Sequence, residues 1–355
     1  MTSNTSHRVA VVILNWNGQQ HLATYLPSVV EHSTGADVVV IDNGSTDDSV
    51  DWLRKDHPNV RIITLEENLG FAGGYNEGLK QVEADIFVLL NSDVRVTPNW
   101  IAPVLEAMQS EGYVACQPLI RNESDPDLFE YAGAAGGHID KNGFTFCAGR
   151  IFEVFESDEG QYSQNREVFW ASGASLFIQA DAWKEVGGLD SDFFAHMEEI
   201  DLCWRLKNRG HKVGVCGGSV VYHLGGGTLQ KISPFKSYLN FRNNLYLLVK
   251  NDHKKALYPM VFRRMVLDGI AALKFLLEGS TSLFGAVWKA HRDFRGNFKT
   301  MKERRSHEIQ ACKNTASQVP YNEAGRYQGS IIVDYFLRGK QTFDQLNQEQ
   351  FIRRR

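Results

Sequence analysis

Over its first ninety or so positions the chain alternates short apolar runs with polar clusters. Largely β-branched apolar runs fall at 8–14, 37–41, 60–65 and 86–90. Each is too short for a helix, so each predicts a buried strand. Apolar residues recur at helical spacing over 22–30, and a second helix is expected to run to Lys55, capped by Ser45 or Thr46. Strands alternating with helices imply an α/β fold with a mostly parallel, doubly wound sheet whose polar loops gather at one edge.

From 106 to 167 the pattern is irregular and reads as variable loops with short strands; the acidic run 153–159 reads as solvated surface. A turn and strand resume over 168–178, followed by a helix that Asp181 can cap and Gly187 ends. Short closing strands are expected at 213–215 and 219–222. From Pro234 onward the pattern is helical. Apolar residues between Tyr258 and Phe294 are interleaved with Arg263, Arg264, Lys274, Lys289 and Arg292. That fits a pair of interfacial helices, and equally a packed hairpin or a dimer interface. Residues 1–230 are therefore read as one α/β domain and 231–355 as a mainly helical basic region, with 316–355 a basic tail.

The strand ends carry the candidate chemistry. They read Asn15-Trp16-Asn17-Gly18, then Asp42-Asn43-Gly44-Ser45-Thr46-Asp47-Asp48, then Asn68-Leu69-Gly70-Phe71-Ala72-Gly73-Gly74-Tyr75-Asn76, then Asn91-Ser92-Asp93. Ligands of open α/β sheets collect outside the carboxyl ends of the strands. A carboxylate there suits Mg²⁺ or Mn²⁺ held against a phosphate; an Asx turn serving only the backbone is the plain alternative. The glycines follow the third strand, not the first, which argues against a dinucleotide fingerprint. They are placed to open a helix whose first amides face a ligand, or simply to turn the chain.

Charge sharpens the division. Residues 1–230 hold 15 Lys+Arg against 32 Asp+Glu, and 231–355 hold 23 against 10, so balances of −17 and +13 lie behind a net charge of −4. The basic half is expected to meet something anionic, or the two halves attract each other. Five scattered cysteines without a CxxC pair argue against a disulfide framework or zinc site. The N-terminal stretch has no apolar core of a signal peptide, and no apolar run reaches the roughly 18 residues that span a bilayer. A cytoplasmic location is expected, with peripheral contact to the inner face of the membrane left open.

The four strand-end motifs, in this order, closely resemble the inverting family 2 glycosyltransferases, and most of all the rhamnosyltransferase-type enzymes of bacterial surface polysaccharide assembly. The resemblance runs from about Arg8 to Leu229, more weakly through Leu248. It implies a GT-A fold, a nucleotide-sugar donor and a divalent metal, Mg²⁺ or Mn²⁺. On that basis Asp42 is expected to accept from the ring N–H of uracil or thymine. Asn15, Asn17 and Asn43 are expected around the nucleoside, and Asn68, Gly70, Phe71, Asn76 and Asn91 along the donor. Asp93 and His223 are the expected metal ligands; many relatives carry Asp where this chain has Asn91. The pattern of an aromatic pair followed by Glu-Asp-x-Asp matches Phe193-Phe194 and Glu198-Glu199-Ile200-Asp201. This makes Glu199 the expected catalytic base, with Glu198 and Asp201 as alternates; acids at a helix start also arise for dipole reasons alone. Arg242 is expected to offset diphosphate charge. The irregular 106–167 region would shape the acceptor site. The implied acceptor is a glycan or a lipid-linked glycan. No nucleic-acid partner is expected, and an oligomer is left open. The rival activity is a sugar nucleotidyltransferase, which should show a basic Gly-rich signature after the first strand; an inactive glycan- or nucleotide-binding relative is the non-enzymatic alternative.

Overall fold

The computed structural model describes residues 7–225, 233–315 and 321–353. Four strands, β1 (Val9–Asn15), β2 (Ala36–Asn43), β3 (Arg61–Leu65) and β4 (Ile86–Asn91), run parallel in the spatial order β3-β2-β1-β4. They are linked by α1 (Gln19–His32), α2 (Ser49–Asp56) and α3 (Gly70–Leu79). The apolar runs are continuous because both faces are covered: Val11, Ile13 and Val88 pack in one core, Val12, Ile41 and Leu89 in the other. Register pairs Asn15 with Asp42 and Leu14 with Asn91, so the polar tips end level at one edge.

The next segment has the short strands expected of it, but also a long one that was not expected. After β5 (Val94–Val96) and α4 (Ile101–Glu111) comes β6 (Tyr113–Asn122), a largely buried strand inside the main sheet. Its buried Gln117 and its Pro118, which lacks an N–H for the ladder, disguise it as a loop. A second, five-stranded sheet follows, built from β7 (Gly137–Asp140), β8 (Thr145–Cys147), β9 (Arg150–Ile151) and β10 (Val154–Phe155), with a fifth strand from the C-terminal region. The acidic run is only partly solvated, since Asp158 pairs with Arg121 and Glu156 accepts from Tyr162 and the Phe343 amide.

The chain then returns to the main sheet through β11 (Arg166–Val168) and β12 (Ser175–Gln179), the latter antiparallel between β4 and β6. Next come α5 (Ala180–Val186), α6 (Glu198–Asn208) and β13 (Lys212–His223). The two closing strands expected near 213 and 222 are one strand, with its register broken between Cys216 and Val220 opposite Pro118. Asp181 lies inside the first turn of α5 and not at its cap. Ser45 and Thr46 likewise precede the true start of α2, which Asp48 flanks.

The helical region comprises α7 (Pro234–Asn251), capped by Ser233, then α8 (Leu257–Leu277) and α9 (Thr281–Thr315). The segment read as a basic tail is folded where it is described. β14 (Arg326–Tyr327) pairs with β7, α10 (Ile331–Phe336) follows, and Tyr327, Ile331, Phe343 and Leu346 are buried in the same core as the sheet. Its aromatics were the missed signal, since Phe343 stacks on buried His138 and Phe351 meets it edge-on. All five cysteines are free and buried. Among the described residues no helix is long and apolar enough to cross a membrane.

Candidate active site

The tips of β1 and β2 are stitched together by short polar side chains. Asn15, fully buried, donates from Nδ2 to Asp42 Oδ1 at 3.2 Å and to Ser45 Oγ at 3.3 Å. The second Asp42 oxygen accepts from the Ser45 amide at 3.1 Å. Asn17, in the left-handed region at φ 49°, accepts from the Thr46 amide at 2.7 Å. A Cβ at Gly18 would stand 2.6 Å from Asn15 Oδ1, so only glycine leaves that oxygen its place. Ser45 was read as a helix cap; it is instead the hub of this junction.

Next to Asp42 at the end of β2, Asn43 reaches toward the turn after β3: it donates to Asn68 Oδ1 and to the Gly70 carbonyl, and accepts from the Leu69 amide. These bonds fix the glycine-rich turn that opens α3. Gly70 has φ 72°, and the Phe194 ring would lie 3.1 Å from any Cβ placed there. Phe71 donates its amide to the Phe194 carbonyl at 3.3 Å. Asn76 faces elsewhere: its amide group makes two bonds to the backbone of Leu189.

At the end of β4, Asp93 and His223 meet because β5 pairs with the end of β13, setting His223 opposite Val94. His223 Nε2 is 3.1 Å from Asp93 Oδ1 and 3.3 Å from Asn91 Nδ2. Its other ring nitrogen is 3.3 Å from Glu130 Oε2. Burial alone would lower the His223 pKa, but the carboxylates of Glu130 and Asp93 outweigh it and push it up to about 10. Burial likewise works to raise Asp93, yet the facing imidazolium wins and holds the carboxyl below its usual range. Glu130 was missed in the sequence because it sits in the stretch read as irregular, with no motif around it. Gly226 and Gly227, which follow Gly225 after His223, lie outside the described residues.

With the Nε2 proton of His223 displaced, the arrangement can hold a divalent cation in place of the His223–Asp93 hydrogen bond. Two donors about 2.1 Å from one octahedral ion stand about 3 Å apart, which is the separation of Asp93 Oδ1 and His223 Nε2. A carboxylate behind the second imidazole nitrogen, as Glu130 is, orients a metal-binding histidine. No group of three or more His, Cys, Asp or Glu side chains suited to a metal occurs among the described residues, so the remaining ligands would come from a bound diphosphate and water.

The acidic cluster at the start of α6 separates into unlike members. Asp201 is completely buried and bonded to Arg205 at 2.8 Å, Lys250 at 2.9 Å and Asn251 at 2.7 Å. Burial pushes its pKa up, but Arg205 and Lys250 more than reverse this and hold it low. Glu198 is buried with one oxygen unbonded, and burial together with neighbouring Glu199 raises it far above the carboxylate range. Glu199 is partly exposed and its Oε2 has no hydrogen-bond partner among the described residues. Burial lifts its pKa to about 7 against the opposing amides of the helix start. A Cβ at Gly173 would be 3.5 Å from the Phe71 ring and 3.6 Å from Glu199 Cβ, so the glycine-rich turn and Glu199 close on one point.

Arg242 does not project freely. Its guanidinium bonds to the carbonyls of Asp192 and Phe193 and to Asn243 Oδ1, and lies over the Tyr238 and Tyr246 rings. Neighbouring Asn243, fully buried and not singled out from sequence, bonds three carbonyls of the loop before Glu199.

A parallel nucleotide-type sheet with strand-end carboxylates, joined by an antiparallel strand to a half bearing an acidic helix start, defines a glycosyltransferase of the GT-A type. Residues 10–182 match the model of glycosyl transferase family 2. The chain is 23% identical over 79% of its length to a low-salt glycan biosynthesis hexosyltransferase, Agl10, of Haloferax volcanii, covering 90% of that protein. It is 29% identical over 60% of its length to an N-acetylglucosaminyl-diphospho-decaprenol L-rhamnosyltransferase of Mycobacterium tuberculosis, covering 75% of it. The fold is shared with a mannosyltransferase from Pyrobaculum calidifontis in complex with GDP-Man and Mn²⁺ (TM-score 0.51, 14% identity, 88% of each chain). It is shared too with GalNAc-T7 bound to UDP, GalNAc and Mn²⁺ (TM-score 0.53, 16% identity, 70% of this chain and 48% of that one).

Proposed function

We propose that the chain is an inverting glycosyltransferase that moves a sugar, rhamnose being the narrow expectation, from a UDP- or dTDP-sugar to a hydroxyl of a lipid-linked surface glycan. Asp42, with Asn15, Asn17 and Asn43 around it, receives the base and nucleoside. Asn68, Gly70 and Phe71 line the donor's path, and Asn91 stands beside the diphosphate. Asp93 and His223, backed by Glu130, hold Mg²⁺ or Mn²⁺. Lewis-acid stabilisation of the departing diphosphate is what such an ion supplies when bound.

Glu199 takes the acceptor proton. A lone pair of the acceptor oxygen forms the new bond to the anomeric carbon while its proton passes to Glu199, and the O–H bonding pair stays on that oxygen. The bond from that carbon to the diphosphate oxygen breaks on the opposite face, and its electron pair leaves with the nucleoside diphosphate. Glu198, buried away from the acceptor side, and Asp201, saturated by cations, are less well placed to take that proton; Asp201, Asn76 and Arg242 act as positioning residues. The observation that carries the reading is the enclosed, unbonded Oε2 of Glu199, a residue whose Cβ lies against Gly173 next to the Phe71 ring. The decaprenol-linked substrate in the name of the Mycobacterium relative supports the acceptor class.

The test is a panel of UDP-, dTDP- and GDP-sugars with Mn²⁺ and a polyprenyl-diphosphate-linked acceptor, scored for nucleoside diphosphate release and for the anomeric configuration of the product. Release dependent on both UDP- or dTDP-sugar and acceptor, with inverted product, is expected. A retained configuration would overturn the mechanism.

A further inference from the structure

α8 is apolar on two sides: Met260, Val261 and Ala272 are buried against the protein, and a second apolar row faces outward. Its buried side includes the Arg264–Asp268 ion pair at 2.8 Å, with His291 Nε2 3.3 Å from the other Asp268 oxygen. Its outward side carries Tyr258, Phe262, Val266, Ile270, Leu273 and Leu277, which are 47–80% exposed. Steps of four, four, four, three and four residues set these six on one ridge of the helix. A helix on a water-facing surface ordinarily keeps that outer side polar. An exposed apolar ridge of this kind marks an interaction surface.

The charges along α8 narrow the choice of partner. The helix has four charged residues, and the two on its exposed side, Arg263 and Lys274, are both cations, while its one carboxylate, Asp268, is buried; Lys302 adds a third cation at the Tyr258 hydroxyl, 3.3 Å away, and exposed Glu278 just past the helix end pairs with Lys274 at 3.3 Å. The surface continues onto α10, where Phe336 and Leu337 are exposed and the Lys274 ammonium lies 5.8 Å from the Phe336 ring. An apolar ridge fringed by cations complements an anionic lipid surface, where acyl chains meet the ridge and headgroups meet the cations. A second copy in a two-fold arrangement would set these same cations against each other.

We propose that the outward ridge of α8 is a docking surface for an anionic lipid bilayer, which the protein binds peripherally. The inference deepens the lipid-linked acceptor reading and takes its purpose from it. Phe275 of α8 packs on Phe241 of α7 at 6.4 Å between ring centres, and the next two residues of α7 hold the loop before Glu199. Docking on α8 therefore brings the membrane to the helix that supports the catalytic carboxylate.

The experiment is sedimentation of the full chain with vesicles of phosphatidylcholine alone and of equal parts phosphatidylcholine and phosphatidylglycerol. The wild type should pellet with the anionic vesicles, stay largely soluble with the neutral ones, and return to the supernatant as salt rises. The double variant Phe262→Asp/Ile270→Asp should lose partitioning by about ten-fold or more while keeping its unfolding temperature. Arg263→Gln/Lys274→Gln should weaken binding to anionic vesicles alone. Wild type remaining soluble with both vesicles, or the Asp variant pelleting as well as wild type, overturns the proposal. So does a concentration-dependent dimer by light scattering that the Asp variant abolishes without any vesicle binding. No donor or acceptor enters this assay, so vesicle binding with no transfer to a lipid-linked acceptor would refute the acceptor reading and leave the docking surface standing.

Discussion

The Asn243 side chain holds the His196 carbonyl at 2.8 Å, three residues before Glu199. The same amide nitrogen also bonds the carbonyls of Phe193 and Ala195. Between them Phe194, His196 and Met197 all have positive φ, at 64°, 67° and 75°. Non-glycine residues in such conformations cost of order 1–3 kcal/mol each and persist only where the surroundings impose them. One buried amide on α7 thus supplies much of the restraint that sets the start of α6.

Asn243→Ala should release that loop and misplace Glu199 without touching the donor. The expected result is a fall in kcat of about 100-fold, the order that a displacement of about 1 Å produces, with donor affinity by titration nearly unchanged. A variant with wild-type kcat would show that the strained loop holds its shape unaided.

Metal dependence follows from the Asp93–His223 pair. Asp93→Ala should abolish Mn²⁺ binding measured calorimetrically in the presence of the nucleoside diphosphate. Glu130→Gln, which leaves both ligands in place, should weaken it about 10- to 100-fold, as outer-shell changes do. Full transfer activity after exhaustive chelation would remove the metal from the account.

Asp201 separates structure from chemistry at the acidic cluster. Asp201→Ala leaves Arg205 and Lys250 buried without their shared carboxylate, and breaking a buried pair in this way costs about 3–5 kcal/mol. A large drop in unfolding temperature is expected. Unchanged stability with lost activity would instead make Asp201 a participant in the reaction.

The strand-end chemistry was legible because parallel strands buried on both faces leave continuous apolar runs, each punctuated by a polar tip. That is why Asn15, Asp42, Asn68 and Asp93 could be named before their contacts were known. β6 was not legible: Gln117 spends its amide on nearby backbone, and Pro118 forces a register shift in the partner strand, so neither resembles an interior strand residue. Glu130 and Asn243 join the site only through contacts with His223 and the 193–196 loop, 93 and about 50 positions away in the chain. Pairings so remote leave no periodic trace. The division of labour within Glu198, Glu199 and Asp201 was equally hidden, because their neighbours Arg205, Lys250 and Asn251 decide it.

The central claim, that Glu199 is the base, is tested most directly by the pH dependence of kcat in wild type and Glu199→Gln. With a pKa raised to about 7 by burial, Glu199 accepts a proton only when ionised, so the wild-type kcat should rise with pH, about ten-fold per unit, and level off above 7. Glu199→Gln should lower the plateau by about 10²- to 10⁴-fold, the usual contribution of a general base, and erase that limb while donor affinity holds. A Gln variant that transfers sugar at near wild-type rate with the same pH limb would contradict the account.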